Sequence, residues 1–342
     1  MYRVLKDMLT TFDKAEAIYK PSLFWQDINK LHIEQLENDG YNNFKQTLNL
    51  KYFNFIVSII DRQFLKLVKY LIKHPTLKVF TARLKSFRLC KDNNLLTKFT
   101  GRILYPVFIA MLWEYTRSID YLELLEQINE PLEGNPIKVW YKGRLISQDV
   151  CNSIIEYYAI PNAMAIEKLS VCELGAGYGR LAYVFLKARN CRNIKYTVVD
   201  IPPALYVAQR YLTEVFPMLK AFKFRDFGKY EDVKEEFETA AIRFLEPQQV
   251  KLLPPFQFNL FINISSLHEM TMPQIQNYIN MIDQYTNGYF YTKQWIRSIN
   301  VKDKIVVGYK DYPIPSAWKE LYWRKCEVQS LFFEALYKIG GK

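Results

Sequence analysis

"VCELGAGYGRLAYVFLKARN", residues 171 to 190, decides how this chain is read. Apolar residues lead into an acid, Glu173, and glycines follow at 175, 177 and 179. Leu181, Val184, Phe185 and Ala188 then recur on one face of a predicted helix. A buried strand, a glycine turn and an amphipathic helix in direct succession open a βαβ unit whose turn can approach a nucleotide-like ligand.

The same grammar continues downstream. "IKYTVVD" (194–200) reads as a second strand ending in Asp200, and "PPALYVAQRYLTEVF" (202–216) as a helix opened by proline. "FNLFINI" (258–264) and "YFYTKQW" (289–295) read as further buried strands, and "LFFEALYKI" (331–339) as a closing one. For the third strand "AIRFL" (241–245) fits better than "AFKFRDF" (221–227), which lies far from the fourth strand for one crossover. On that reading 221–240 is an insertion, and Leu245 and Glu246, rather than Asp226, stand at the ligand-binding edge of the sheet. Strands alternating with helices predict a doubly wound, mostly parallel Rossmann-like sheet that binds ligands at the carboxyl ends of its strands.

The first 130 residues read differently. In "NFIVSIIDRQFLKLVKYLIKH" (54–74) Ile56, Ile60, Phe64, Leu67 and Leu71 mark one helical face, and Arg62, Lys66, Lys69 and Lys73 another. "NEPLEGNP" (129–136) breaks the pattern, so a helical N-terminal domain is expected over 1–135 and the ligand-binding domain over 136–342. Between them "IKVWYKGRLIS" (137–147) suggests a short hairpin around Gly143, with Ser147 capping the next helix.

Of the net charge of +11, residues 51–102 account for +10, with twelve Lys/Arg against Asp61 and Asp92. Such a cluster suits an anionic partner: a phosphate-bearing acceptor, a nucleic acid or an acidic membrane surface. It also suits a solvated helical face. No apolar run is long enough for a membrane span. Asp7, Asp13 and Glu16 interrupt the stretch where a signal peptide keeps an uncharged core. The five cysteines are odd in number and show no CxxC spacing. A cytoplasmic location, reduced thiols and no bound metal are expected.

The spacing at 175, 177 and 179 departs from the GxGxxG of dinucleotide folds, because Arg180 stands where the third glycine would be. The E-x-G-x-G-x-G arrangement instead resembles the first motif of class I S-adenosylmethionine-dependent methyltransferases. The resemblance implies that the glycine backbone approaches the cofactor's amino-acid end. It implies further that Glu173 reaches the amino group, directly or through water, and that Asp200 accepts both ribose hydroxyls.

"VVDIPPALYVAQRYL" (198–212), "FLEPQQVKLL" (244–253) and "FNLFINISSLHEM" (258–270) together resemble the sugar O-methyltransferase family of bacterial glycan clusters. The matching positions are Asp200-Ile201-Pro202, Pro247 with Gln248 or Gln249, and Asn263, Ser266, Glu269 and Met270. "YKGRLISQD" (141–149) resembles the family's lead-in helix, which would bring Tyr141 and Arg144 towards the acceptor. The likeness covers roughly residues 138–300 and departs at His268, where a residue such as glutamine is expected.

Three groups of site residues follow. Glu173, Gly175, Gly177, Gly179, Asp200, Ile201, Leu245, Glu246 and Asn263 are expected at the cofactor, and Tyr141, Arg144 and Ser266 at the acceptor. Glu269 and His268, at the end of the fourth strand, are the candidate bases for removing a hydroxyl proton. The implied activity is methylation of a sugar hydroxyl of a bacterial surface glycan, or of its nucleotide- or lipid-linked precursor. An RNA or DNA methyltransferase and a non-catalytic subunit that keeps the fold are the rival readings. The first draws on the basic region but lacks an N-P-P-[YF] stretch and any RNA-binding module.

Overall fold

A computed structural model describes residues 2–47, 69 and 95–340. The basic face of Arg62, Lys66 and Lys73 lies outside the described residues, as does Cys90. The chain divides into two compact units. One comprises Gln35–Ala159 with Glu327–Ser330, and the other Met1–Glu34, Ile160–Cys326 and Leu331–Lys342.

In the first unit, helices Leu95–Ile119 and Gln148–Tyr158 accompany a hairpin of β1 (Val139–Tyr141) and β2 (Arg144–Ile146). Gly143, at a left-handed φ of +78°, turns this hairpin. Ser147 caps the helix as its sequence position predicts, its Oγ accepting from the Val150 N–H at 3.1 Å. The Lys45 ammonium meets Glu130 at 2.5 Å, which pairs an otherwise costly buried charge.

The second unit is built on a sheet. Its strands are β3 (Leu169–Leu174), β4 (Ile194–Val199), β5 (Ala221–Phe222), β6 (Ile242–Leu245), β7 (Phe258–Ile264) and β8 (Thr286–Trp295). A separate hairpin follows, β9 (Arg297–Asn300) and β10 (Ile305–Gly308), and then β11 (Lys319–Lys325) and β12 (Phe332–Lys338). Among the described residues the sheet has eight strands in the order β11-β12-β8-β7-β3-β4-β6-β5. β5 through β8 run parallel with β3 and β4, whereas β12 pairs antiparallel with both β8 and β11. This is the Rossmann-like class I methyltransferase fold: β6, from "AIRFL", pairs directly with β4 as expected, while Ala221–Phe222, read from the sequence as part of an insertion, adds β5 as a short parallel strand at the sheet edge.

The burial of both faces explains why these strands read as continuous apolar runs. On one face Phe185, from helix Arg180–Ala188, lies 5.7 Å from the Tyr196 ring. Helix Ala204–Val215 joins it through Leu212 and Tyr211, which pack against Gly179 and Tyr178. On the other face Tyr278, Ile279 and Ile282 of helix Met272–Tyr285 share a buried cluster with Cys172, Val199, Phe261 and Phe290. The sequence pattern did not show β9, β10 or β11. Their residues alternate weakly, and Ile299 and Val306 are exposed.

The strand register sets up the site. Leu174 lies opposite Val199 on one side and Asn263 on the other, and Val199 lies opposite Leu245. The next residues along, Gly175, Asp200 and Glu246, therefore share one edge of the sheet, where parallel strands deliver their carboxyl ends.

Candidate active site at the carboxyl edge of the sheet

The glycine turn is built from conformations that side chains disfavour. Gly175, Gly177 and Gly179 have φ of +73°, +59° and +86°, in the left-handed region. Space is as restrictive as torsion at two of them. A Cβ on Gly175 would meet Ser266 Oγ at 2.4 Å, and one on Gly179 would meet Leu212 Cδ1 at 2.8 Å. The third glycine thus serves close packing of the following helix against its neighbour.

Asp200 is tied to this turn through main-chain donors. The Gly177 N–H donates to its Oδ2 at 2.7 Å, and the Ile201 N–H to its Oδ1 at 2.7 Å. Each carboxylate oxygen retains acceptor capacity beyond one N–H. Although part of its surface is exposed, burial pushes the Asp200 carboxyl up to about 7. The two N–H groups oppose that shift, and the charge of Glu269 adds to it. Asp200 and Glu269 therefore act on one another from the ends of β4 and β7, with the glycine turn of β3 between them in strand order.

Glu246 follows β6. Burial pushes its carboxyl up to about 8, and Asp226 pushes the same way, against the Gln248 hydrogen bond and the charge of Lys20. Its Oε2 accepts from Gln248 Nε2 at 2.5 Å, while Oε1 is buried with no hydrogen-bond partner among the described residues. Gln248 Oε1 is in the same position. Leu245 is fully buried, and its carbonyl accepts from the Asp200 N–H at 3.3 Å. Ile201 is half-buried beside Asp200. Glu173 lies deeper, 3% exposed, with Oε2 accepting from the Tyr196 hydroxyl at 2.7 Å.

Asn263 ties the strand ends together. Its Nδ2 donates to the Leu174 carbonyl at 2.8 Å and to Ser266 Oγ at 3.3 Å. Its Oδ1 accepts from the Leu267 N–H at 3.1 Å and from Gln294 Nε2 at 2.6 Å. Two donors and two acceptor positions exhaust an amide, so Asn263 holds the glycine turn and the turn after β7 as one piece.

That turn carries the two candidate bases. His268 is 3% exposed, with Nδ1 2.9 Å from Gln294 Oε1 and its ring 5.8 Å from that of Trp295. Because Gln294 Nε2 donates to Asn263, its Oε1 is left as the acceptor, which assigns the proton to Nδ1 of His268. The other ring nitrogen, Nε2, lies 3.5 Å from Glu269 Oε1. Glu269 Oε2 accepts from Trp25 Nε1 at 2.9 Å.

Trp25 lies on helix Leu23–Asn38, whose start is fixed in this unit by Asp303. The Asp303 carboxylate takes the Leu23 and Phe24 N–H groups at 2.8 and 3.1 Å, a cap supplied from the β9–β10 connection. Just before the helix, the Ile18 and Lys20 carbonyls accept from Gln274 Nε2 at 3.2 and 2.7 Å. Sequence reading did not single out Trp25 or Gln294, since neither belongs to a motif. Their role depends on partners 244 and 26 residues away.

The two acceptor residues expected from the lead-in segment belong to the other unit, as does their bonding. The Tyr141 hydroxyl donates to Glu114 Oε1 at 2.6 Å, and Arg144 meets Glu126 at 2.9 Å and Asn129 at 3.2 Å.

No family model matches the chain, and no curated protein matches it in sequence. Similar solved structures include the 1,6-didemethyltoxoflavin-N1-methyltransferase of Burkholderia thailandensis, determined with S-adenosylhomocysteine bound (11% identity, TM-score 0.38). They also include S-adenosylmethionine-dependent methyltransferases of Leishmania major (15%, 0.38) and Aquifex aeolicus (13%, 0.33). The matches cover 57%, 55% and 54% of this chain and 79%, 71% and 88% of theirs. Likeness at this level assigns no role to any side chain.

Proposed function

We propose that the protein is an S-adenosylmethionine-dependent O-methyltransferase acting on a sugar hydroxyl. The carrying observation is geometric: Asp200, after β4, accepts from the Gly177 N–H of the glycine turn at 2.7 Å, and Glu269 follows β7 on the other side of that turn in strand order. S-adenosylmethionine carries its transferable methyl on a sulfonium one carbon from the ribose, so a carboxylate for the ribose hydroxyls and a base for the acceptor belong at the same edge of the sheet. The residues fit such a group: the turn exposes backbone without side chains, and Asp200 keeps acceptor capacity. Gln248 Oε1 is a buried acceptor in need of a donor, as an adenine amino group would be. Asp200 would hold the ribose hydroxyls, and Gly175 and Gly177 the amino-acid end. When bound, S-adenosylmethionine supplies an electrophilic methyl group on sulfonium.

The chain's own groups then position the acceptor and take its proton. Glu269 serves as the base, accepting the hydroxyl proton as the oxygen attacks. The Trp25 indole N–H orients the carboxylate, and His268 Nε2 can share the arriving proton. Gln294 fixes His268 in the tautomer that permits this. His268 is accordingly a positioning residue behind Glu269. The sugar specificity draws on the D-I-P, E-P-Q-Q and N-x-x-S-x-x-E-M stretches alone.

Two measurements test the reading. Calorimetry should show saturable binding of S-adenosylhomocysteine, weakened in Asp200→Ala. Mass spectrometry of surface glycans from cells lacking the protein should show one CH2 unit missing from a defined sugar. Wild-type protein that binds no cofactor analogue, or glycans left unchanged, would refute it.

A further inference from the structure

Helix Leu23–Asn38 does more than deliver Trp25 to Glu269. Residues 25, 29 and 32 stand at steps of four and three, so Trp25, Asn29 and His32 share one helical face. The Trp25 end of that face is located by its hydrogen bond to Glu269. Asn29 Oδ1 and His32 Nε2 are both enclosed, with no hydrogen-bond partner among the described residues. His32 is only 5% exposed, and burial lowers its pKa to about 4, so the imidazole is neutral near pH 7. A third enclosed polar atom lies near Glu269. The Tyr312 hydroxyl has no partner among the described residues, and the charge of Glu269 reaches its phenol.

Buried polar atoms without partners cost free energy. Two on the helical face that carries Trp25, and a third on a phenol that the charge of Glu269 reaches, call for a ligand that satisfies them. The chemistry of that ligand can be read from the atoms. Asn29 Oδ1 can only accept, so it needs a donor. His32 Nε2 accepts or donates according to tautomer, and a phenol does both, so a hydroxyl satisfies either. Neither Asn29 nor neutral His32 supplies a charge, so this face selects for hydroxyls rather than for phosphate. The distance from Trp25 to His32 along the helix is seven residues, roughly 10 Å, longer than a single sugar ring.

We infer that the Trp25–Asn29–His32 face and the Tyr312 hydroxyl form the acceptor-binding wall of the site, and that the acceptor is an extended, hydroxyl-rich saccharide of at least two rings. Its reacting ring lies at Glu269, between Trp25 and Tyr312, and the next ring donates to Asn29 and His32. This rests on the methyltransferase reading above, and gives it a substrate length that the motifs do not specify.

The test uses the full-length protein saturated with S-adenosylhomocysteine. Saturation-transfer NMR compares methyl glycosides of the common hexoses with the corresponding disaccharides. Disaccharides should bind more tightly than the monosaccharides. Asn29→Leu and His32→Leu should each lower disaccharide affinity about fivefold, the scale of one lost hydrogen bond to a neutral partner, with cofactor-analogue affinity unchanged. Both substitutions should also leave the melting temperature of the free protein equal or higher, because they remove an unsatisfied group. A clear fall in melting temperature would mean that the polar atoms serve the fold, and would overturn the inference. So would equal binding of mono- and disaccharides, binding of no saccharide, or variants that keep the wild-type preference. Wild-type protein that fails to bind S-adenosylhomocysteine would instead refute the methyltransferase reading.

Discussion

The two acids that flank the glycine turn are held in opposite ways. Asp200 is fixed by main-chain N–H groups, one from the adjacent residue and one from a turn 23 positions away. Glu269 is fixed by side chains, notably an indole from the beginning of the chain. A main-chain grip depends on the path of the backbone and tolerates changes in surrounding side chains. A side-chain grip depends on the identity of each partner and can be altered one residue at a time. The cofactor half of the site is accordingly the conservative part of the design, and the acceptor half the adjustable part.

The sharpest separation between the halves comes from Glu269→Gln. Turnover should fall about 100-fold or more, the scale of a removed general base, while cofactor affinity stays unchanged. Single-turnover kinetics beside calorimetry checks this. A loss of cofactor affinity in this variant would erase the distinction drawn between the halves.

Asp200→Ala tests the other side. It should weaken S-adenosylhomocysteine binding by about 1.5–3 kcal/mol, the range for hydrogen bonds to a charged group. Because the Asp200 carboxyl is raised to about 7, wild-type affinity should also increase as pH rises through neutrality and the carboxylate forms. Asp200→Asn should flatten that dependence. A pH-independent wild-type affinity would show that the ribose is held elsewhere.

A smaller effect is expected from Trp25→Phe, which keeps the ring and removes the N–H. Turnover should drop about fivefold, in line with about 1 kcal/mol for one hydrogen bond, with no change in cofactor affinity. A loss as large as that of Glu269→Gln would make Trp25 indispensable rather than orienting.

The last test concerns stability rather than activity. Asp200 and Glu246 have folded-state pKa values raised to about 7 and about 8. Between their unfolded values near 4 and these raised values the folded protein holds more protons, so stability falls as pH rises through that window. The melting temperature of the free protein should therefore decline from about pH 5 to about pH 8 on account of these groups. The Asp200→Asn, Glu246→Gln double variant should decline less. An unchanged slope would show that neither acid is destabilised by its burial.

Legibility in the sequence follows the same division. The strands β3, β4, β6, β7, β8 and β12 were readable because burial on both faces turns them into short apolar runs. The β9–β10 hairpin and β11 were not, since their half-exposed residues carry no such run. Gly175 to Gly179 announced a turn because few other residues accept those torsions. Asn29, His32 and Tyr312 gave no signal, as nothing local distinguishes a polar residue that faces solvent from one that is enclosed without a partner.

By itself, the sequence determined the alternation of strand and helix, the glycine turn and the acids at the strand ends. These depend on local periodicity, backbone torsion and short spacings, all of which are written along the chain. Only the tertiary structure decided that Trp25 meets Glu269, that Gln294 assigns the proton on His268, and that Asn263 spends its whole amide on the scaffold. Those pairings join residues far apart in sequence, and a side-chain hydrogen bond has no signature until folding brings its donor within about 3 Å of its acceptor.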